Sequence, residues 1–304
     1  MYNNSRRNFI KTSAGLTGLA FALGSFDFIK RKPLLSFSTL GCPDWTYPVI
    51  VNFAAANGYD GIEIRGLQRE LDLTKSTSFN TNNNILASRK LAEEKGMKIV
   101  ALGCSAQLHH AEITERTKNL DEAKRFIDLA HQLHCPYIRV FPNSFPKEQE
   151  RNTSIDLIVK GLVELNDYAK DSSVCVLMET HGDVVWSRDL ENIMKQVGHS
   201  NTGLVWDIHN MWEVTKETPS AVYKQLKKYI RHVHLKDGKT VEGKLQYTLL
   251  GKGESPIFEG IDALRNGGYR GYYSFEWEKM WYPEIEEPEI ALADYPKAME
   301  RHFK

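Results

Sequence analysis

Apolar residues along this chain fall into two alternating patterns: short runs rich in Val, Ile, Leu, Phe and Tyr, and longer segments in which apolar positions recur every three or four residues. The short runs read as β-strands and the longer segments as amphipathic helices. Strands are expected at residues 35–40, 61–65, 98–102, 137–141, 174–179, 204–207, 230–236 and 272–276. Helices are expected at 47–57, 85–95, 114–133, 154–170, 187–197, 220–228 and 257–266, with a last one inside 288–302. Ile155, Ile158, Leu162 and Leu165 illustrate the helical spacing, and Gly58 and Gly96 stop two of the helices. Eight strands each followed by a helix imply parallel pairing through right-handed crossovers. Eight such units in ~270 residues fit a closed α/β barrel better than an open doubly wound sheet. No Gly-rich phosphate fingerprint follows the first strand, where Gly41-Cys-Pro-Asp44 stands instead. With no internal repeat and no linker, residues 34–304 read as a single domain, a (β/α)8 TIM barrel.

The pattern is broken at the C-terminal ends of the last four strands. Val174-Cys-Val-Leu-Met-Glu-Thr-His-Gly182 is an apolar run that stops in a carboxylate and an imidazole. Gly203-Leu-Val-Trp-Asp207 ends in an aspartate, Ile230-Arg-His-Val-His-Leu-Lys236 carries two histidines and a lysine, and Tyr272-Tyr-Ser-Phe-Glu276 ends in a glutamate. A strand buried on both faces reads as a continuous apolar run, so charge at its end marks a site rather than a folding requirement. Side chains alternate along a strand, which puts Glu179 on the same face as Leu177, Asp207 with Val205, and Glu276 with Ser274. His232, His234 and Lys236 also share one face. All of these groups then converge at the barrel mouth, where barrel enzymes place their chemistry. Several unpaired carboxylates there would be very costly, and a divalent cation removes that cost. Glu179, Asp207, His234 and Glu276 form a three-carboxylate, one-imidazole donor set. It suits manganese first, then magnesium or cobalt, with zinc as a further alternative. His232, lower in its strand, reads as a core or supporting histidine.

Composition narrows the partner. Lys plus Arg and Asp plus Glu are equal at 39 each, so no global basic field draws the chain to nucleic acid or to an anionic membrane. A small molecule is the expected partner, and homo-oligomer formation is left open. Cys42, Cys104, Cys135 and Cys175 have no C-x-x-C spacing and read as buried free thiols, with a Cys135–Cys175 bridge as the alternative. The first 30 residues stand apart: Ser5-Arg-Arg-Asn-Phe-Ile-Lys11 and the Gly/Ala-rich run behind it resemble a twin-arginine export signal. Its apolar part is too short to span a bilayer, which implies export to the periplasm without a permanent membrane anchor.

Gly61-Ile-Glu-Ile-Arg65, Tyr137-Ile-Arg-Val-Phe141, Met178-Glu-Thr-His181, Trp206-Asp-Ile-His209, His232-Val-His-Leu-Lys-Asp237, Leu250-Gly-Lys-Gly253 and Ser274-Phe-Glu-Trp-Glu278 together resemble the xylose isomerase-like barrels. These include sugar isomerases and ketose 3-epimerases, and the resemblance runs from Leu35 to the C-terminus. It implies that Glu179, Asp207, His234 and Glu276 bind the metal. It also implies that Glu179 and Glu276 are catalytic, moving protons on opposite faces of a sugar or keto-sugar. The chemistry is reasonable on physical grounds, because removing a proton α to a carbonyl needs a placed base and a cation to offset the enediolate charge. Glu63, Arg65, Arg139, His181 and Lys236 are then expected to contact sugar hydroxyls, with structural ion pairs such as Glu63–Arg139 as the alternative. The chain departs from the family at Asn210, where a histidine often stands; His209 and Asn210 are both expected at the substrate, either with His209 taking over that contact or with a different hydroxyl-binding geometry. His109 and His110, in the loop after the third strand, could reach the mouth, and Trp281 and Tyr282 could stack against a sugar. Two other outcomes share the site: elimination by a lyase or dehydratase when a β leaving group is present, and a barrel that binds sugar without catalysis.

Overall fold

The computed structural model describes residues 32–304, so the export-signal reading of residues 1–30 lies outside the described residues. Eight parallel strands close into a barrel: β1 (Leu34–Ser38), β2 (Gly61–Ile64), β3 (Lys98–Gln107), β4 (Tyr137–Phe141), β5 (Cys175–Glu179), β6 (Thr202–Asp207), β7 (Ile230–Leu235) and β10 (Tyr272–Phe275). Each pairs with its sequence neighbours in the barrel, and β10 closes the ring on β1 through Leu34 opposite Tyr272. The flanking helices are α1 (Tyr47–Ala56), α2 (Asn82–Glu94), α3 (Ile113–Gln132), α4 (Arg151–Ala169), α5 (Ser187–Val197), α6 (Ile208–Thr215), α7 (Pro219–Leu226), α8 (Ile257–Asn266) and α9 (Pro288–Phe303). This is the (β/α)8 barrel that the alternation predicts. No helix among the described residues is long and apolar enough to cross a membrane.

Alternation sorts the strand residues. Outward side chains pack on the helix layer: Trp206 stacks on Tyr223 of α7 with ring centroids 6.1 Å apart, and Phe275 stacks on Tyr295 of α9 at 4.7 Å. Inward positions are unusually polar, with Ser36, Ser38, Glu63, Arg139, His232, His234 and Ser274 all buried. Bulky branched residues fill most barrels of this kind. Here a hydrogen-bonded floor replaces part of that packing. The four cysteines are free, so the bridge between Cys135 and Cys175 does not form.

Three local features depart from the predicted pattern. β3 runs five residues further than its apolar run, to Gln107, with a register shift against β4 between Gly103 and Gln107. α6 starts immediately after β6, because the Asp207 carboxylate caps it by accepting the backbone N–H of Asn210 at 2.8 Å. An antiparallel hairpin, β8 (Asp237–Val241) and β9 (Lys244–Thr248), stands between β7 and α8. Its turn, Glu242-Gly243, has positive φ at both residues (50° and 76°), the conformation of a two-residue hairpin loop.

Candidate metal centre

Glu179 ends β5, Asp207 ends β6, His234 is the fifth residue of β7, and Glu276 directly follows β10. One donor atom from each lies within 4.8 Å of every other, and all four side chains are buried. His234 Nδ1 sits 3.5 Å from Glu179 Oε1 and 3.3 Å from Glu276 Oε1. Three of the donor atoms, Glu179 Oε2, Asp207 Oδ2 and His234 Nδ1, are buried without a hydrogen-bond partner. Arg139 Nε lies 3.1 Å from Glu179 Oε2 and Lys236 Nζ 2.9 Å from Asp207 Oδ2, but as charge contacts lacking hydrogen-bond geometry. Converging, buried, unsatisfied donors of this composition fit a divalent cation.

The orientation of His234 is set from below. Its Nε2 donates to Glu63 at 2.9 and 3.1 Å, His232 Nε2 donates to the same carboxylate at 2.8 Å, and Ser274 Oγ donates to it at 2.8 Å. Glu63 was expected to meet a sugar hydroxyl or to pair with Arg139; both its oxygens are instead spent on these three donors. With its proton on Nε2, a neutral His234 turns the Nδ1 lone pair toward the carboxylates, the arrangement of carboxylate, histidine and metal seen in many metal sites. Burial by itself would discharge His234, but Glu276, Glu63 and Glu179 around it hold the imidazole well above its usual range. A bound cation would take the place of that proton.

Lys236 anchors the other side. Its ammonium donates to Glu276 Oε2 and to Glu278 Oε1, each at 2.7 Å. Burial pushes the Glu276 carboxyl up, and His234 with Lys236 more than offsets this, holding it well below the usual range. For Glu179 burial is likewise outweighed, chiefly by Arg139. Asp207 is raised by burial, which Lys236 only partly opposes. Above the lysine, the hairpin places Tyr247 with its ring 5.9 Å from Lys236 Nζ and 5.7 Å from the His209 ring. His209 is buried, which together with Lys236 lowers its pKa to about 3, and its Nδ1 shares a 2.7 Å hydrogen bond with Ser255 Oγ. Ser255 in turn belongs to a loop wrapped around Asp237, whose carboxylate accepts the backbone N–H groups of Gly238, Gly251, Gly253 and Ser255 at 2.8–3.3 Å.

The remaining predicted contacts are placed as follows. Arg139 touches Glu179, and its guanidinium lies 3.8 Å over the Phe141 ring. His181 is half-buried, packs 4.8 Å from the same Phe141 ring, and has an unpartnered Nδ1. Asn210 is half-buried in the first turn of α6. His109 is buried with Nδ1 on the Pro142 carbonyl, whereas Trp277 is core, donating to the Glu286 carbonyl. Trp281 is exposed, and Tyr282 packs edge-on against Tyr247 at 5.0 Å. Strand-end reasoning missed Glu278, Tyr247, Asp237 and Ser255. The Glu242-Gly243 turn was the available signal for the hairpin that carries Tyr247.

The sequence model of xylose isomerase-like TIM barrels matches residues 51–300. The chain belongs to that family. Among solved structures, the 3-keto-D-glucoside 4-epimerase YcjR from E. coli superposes with a TM-score of 0.72 at 14% identity, covering 89% of this chain and 100% of that one. The probable 3-DHS dehydratase AsbF of Bacillus anthracis, involved in petrobactin synthesis, gives 0.72 at 18% identity over 88% of this chain and 98% of its own. The IOLI protein, solved with a bound zinc atom, gives 0.74 at 19% identity over 89% and 97%. At these identities the likeness establishes a shared fold. No curated protein matches the sequence.

Proposed function

We propose that this protein is a divalent-metal-dependent sugar isomerase or epimerase that works by abstracting a proton α to a carbonyl. The observation that carries the reading is the convergence of Glu179 and Glu276 on one buried point, each with a fixed positive partner, Arg139 and Lys236. Membership of the xylose isomerase-like family supports it, as do a sugar epimerase and a zinc-containing protein on the same fold. When bound, the cation supplies a Lewis acid that offsets negative charge developing on the substrate's carbonyl oxygen. Manganese is the first choice for the donor set. Asp207 and His234 complete the donors, and Glu63 keeps His234 in the useful tautomer.

Glu179 and Glu276 are both held as carboxylates, so either can accept a proton. Two bases in one pocket allow removal from one face and return on the other, which is epimerisation. One base serving two neighbouring carbons gives aldose–ketose isomerisation. Tyr247 and His209 form the wall beside Lys236, and burial keeps His209 neutral and able to hydrogen-bond a hydroxyl. Arg139, His181, Asn210 and Lys236 are the other contacts proposed for the sugar.

The test is solvent deuterium incorporation into a panel of keto-sugars followed by NMR, with Glu276→Gln beside the native protein. Loss of exchange in the variant supports the role, and unchanged exchange removes Glu276 as a base. Release of water or an alcohol with an unsaturated product would assign the site to a lyase. Export is a separate proposal that rests on Arg6 and Arg7, and cell fractionation of the Arg6→Lys, Arg7→Lys double variant tests it.

A further inference from the structure

From the inner face of the β8–β9 hairpin we infer an outer subsite for a second ring, which makes the substrate a disaccharide or other glycoside rather than a free monosaccharide. This rests on the sugar reading of the site given above and adds the chemical class. The hairpin is two-sided. Gly238 pairs with Tyr247 and Thr240 with Leu245, so these four share one face; Lys239, Val241, Lys244 and Gln246 lie on the other and are all exposed. A Cβ added to Gly238 would lie 3.3 Å from His209 Cε1, so the Tyr247 face is the one turned toward the site. The base of the hairpin is fixed: besides the amides gathered on Asp237, the Glu254 N–H donates to the Gly238 carbonyl at 2.8 Å.

Aromatic rings continue from Lys236 along this face. The Tyr247 ring lies 5.9 Å from Lys236 Nζ, and that ammonium is 2.7 Å from Glu276 Oε2, so Tyr247 adjoins the proposed base. Tyr282, in the loop after β10, packs edge-on against Tyr247 at 5.0 Å. Trp281 beside it is 49% exposed, and the backbone N–H groups of both residues donate to the Glu278 carbonyl. On the hairpin itself, half-buried Leu245 stands two residues from Tyr247, about 7 Å nearer the tip. A ring held at the metal can meet Tyr247; Tyr282 and Leu245 extend the wall past it.

The fold does not use the hydroxyls of this wall. Core tyrosines use theirs: Tyr59 donates to the Leu292 carbonyl at 2.6 Å and Tyr295 to the Tyr273 carbonyl at 2.9 Å. The phenol oxygens of Tyr247 and Tyr282 have no hydrogen-bond partner among the described residues and are not buried, so both stand in water. A ring with an apolar body and a free hydroxyl suits a sugar, which offers C–H faces and hydroxyl edges together. A second copy of this chain is the poorer occupant. Covering the wall with an apolar surface would leave both hydroxyls unpaired, and the hairpin's outer face presents mainly Lys239, Lys244 and Gln246.

Titration calorimetry on the manganese-loaded protein compares D-fructose with turanose, maltulose, lactulose and isomaltulose, which carry a second ring on different hydroxyls of that ketose. The best disaccharide is expected to bind about tenfold more tightly than fructose, the size of two ordinary aromatic contacts. The gain should vanish in Tyr247→Leu and be partly kept in Tyr247→Phe, which retains the ring. No disaccharide gain in the native protein, or an unchanged gain in Tyr247→Leu, would overturn the inference. If Tyr247→Leu does not fold, Tyr282→Leu takes its place under the same criterion. A native dimer in sedimentation that Trp281→Ala dissociates, together with no gain, would assign the face to a second copy. Solvent exchange into fructose without a disaccharide gain would sink the subsite and leave the proton-transfer reading standing. A gain with no exchange into any of these sugars would do the reverse.

Discussion

Replacing Glu63 with Gln separates the floor of the site from its donors. Glu63 is fully buried and touches no predicted substrate position, yet three donors converge on it: His232 Nε2, His234 Nε2 and Ser274 Oγ, all at 2.8–3.1 Å. Glutamine keeps the shape but offers one acceptor oxygen and an NH2 group that faces donors. One histidine must then shift its proton to Nδ1, or a donor is left pressed against a donor. On His234 that shift removes the lone pair aimed between Glu179 and Glu276. Loss of such a supporting carboxylate typically lowers metal affinity 10–100-fold, about 1.4–2.8 kcal/mol. Two of the charge-assisted bonds weaken as well, worth about 1.5–3 kcal/mol each before the relief of no longer burying a charge. Competition against a fluorescent chelator gives the manganese affinity, and urea unfolding of the metal-free protein gives the stability. A folded Glu63→Gln protein that binds manganese within twofold of the native chain would refute the tautomer argument.

Lys236→Met should leave Asp207, Glu276 and Glu278 buried without their shared ammonium, at a cost of about 3–5 kcal/mol in the metal-free state. Because a divalent cation can replace part of that charge, the drop in melting temperature is expected to be larger in chelator than in manganese, and equal drops would count against a shared charge centre. Asp237→Ala removes the acceptor for four backbone amides, so hydrogen exchange at residues 250–255 should accelerate while the barrel strands stay protected. Phe275→Ala should cost about 3–5 kcal/mol in urea unfolding, since the ring is fully buried between Tyr295 and Trp277.

The barrel was legible because its rules are local. A short continuous apolar run followed by a period-3.6 segment needs no long-range information, and eight repetitions leave few topologies. The donor quartet was legible for the same reason: parity along a strand says which face Glu179, Asp207, His234 and Glu276 share, and the mouth is where strands end. Glu63 shows where that reasoning stops. Parity places it inside the barrel, but whether it meets a sugar or a histidine depends on the stagger of strands 169 residues apart in sequence. Only closure decides it. Glu278 lies three residues beyond β10, where alternation no longer applies, and it reaches Lys236 because the chain turns there.

The hairpin and the arginine pair were hidden for a different reason: each depends on something absent. β8 and β9 carry little apolar signal beyond Tyr247, and their exposed faces satisfy no core. Arg65 and Arg139 look like two ordinary barrel arginines until Gly103 is seen between them, since a glycine in a strand usually reads as a weak position. Here the missing Cβ is the feature that matters, because a Cβ at residue 103 would lie 2.5 Å from Arg65 Cδ and 2.9 Å from Arg139 Nη2, and Arg139 is the residue that contacts Glu179. Gly103→Ala is therefore the substitution that should disturb Glu179 through Arg139 without changing any of the four donor residues. In the chelator competition it should lower manganese affinity, and a folded Gly103→Ala protein that binds manganese within twofold of the native chain would show that Arg139 does not position Glu179.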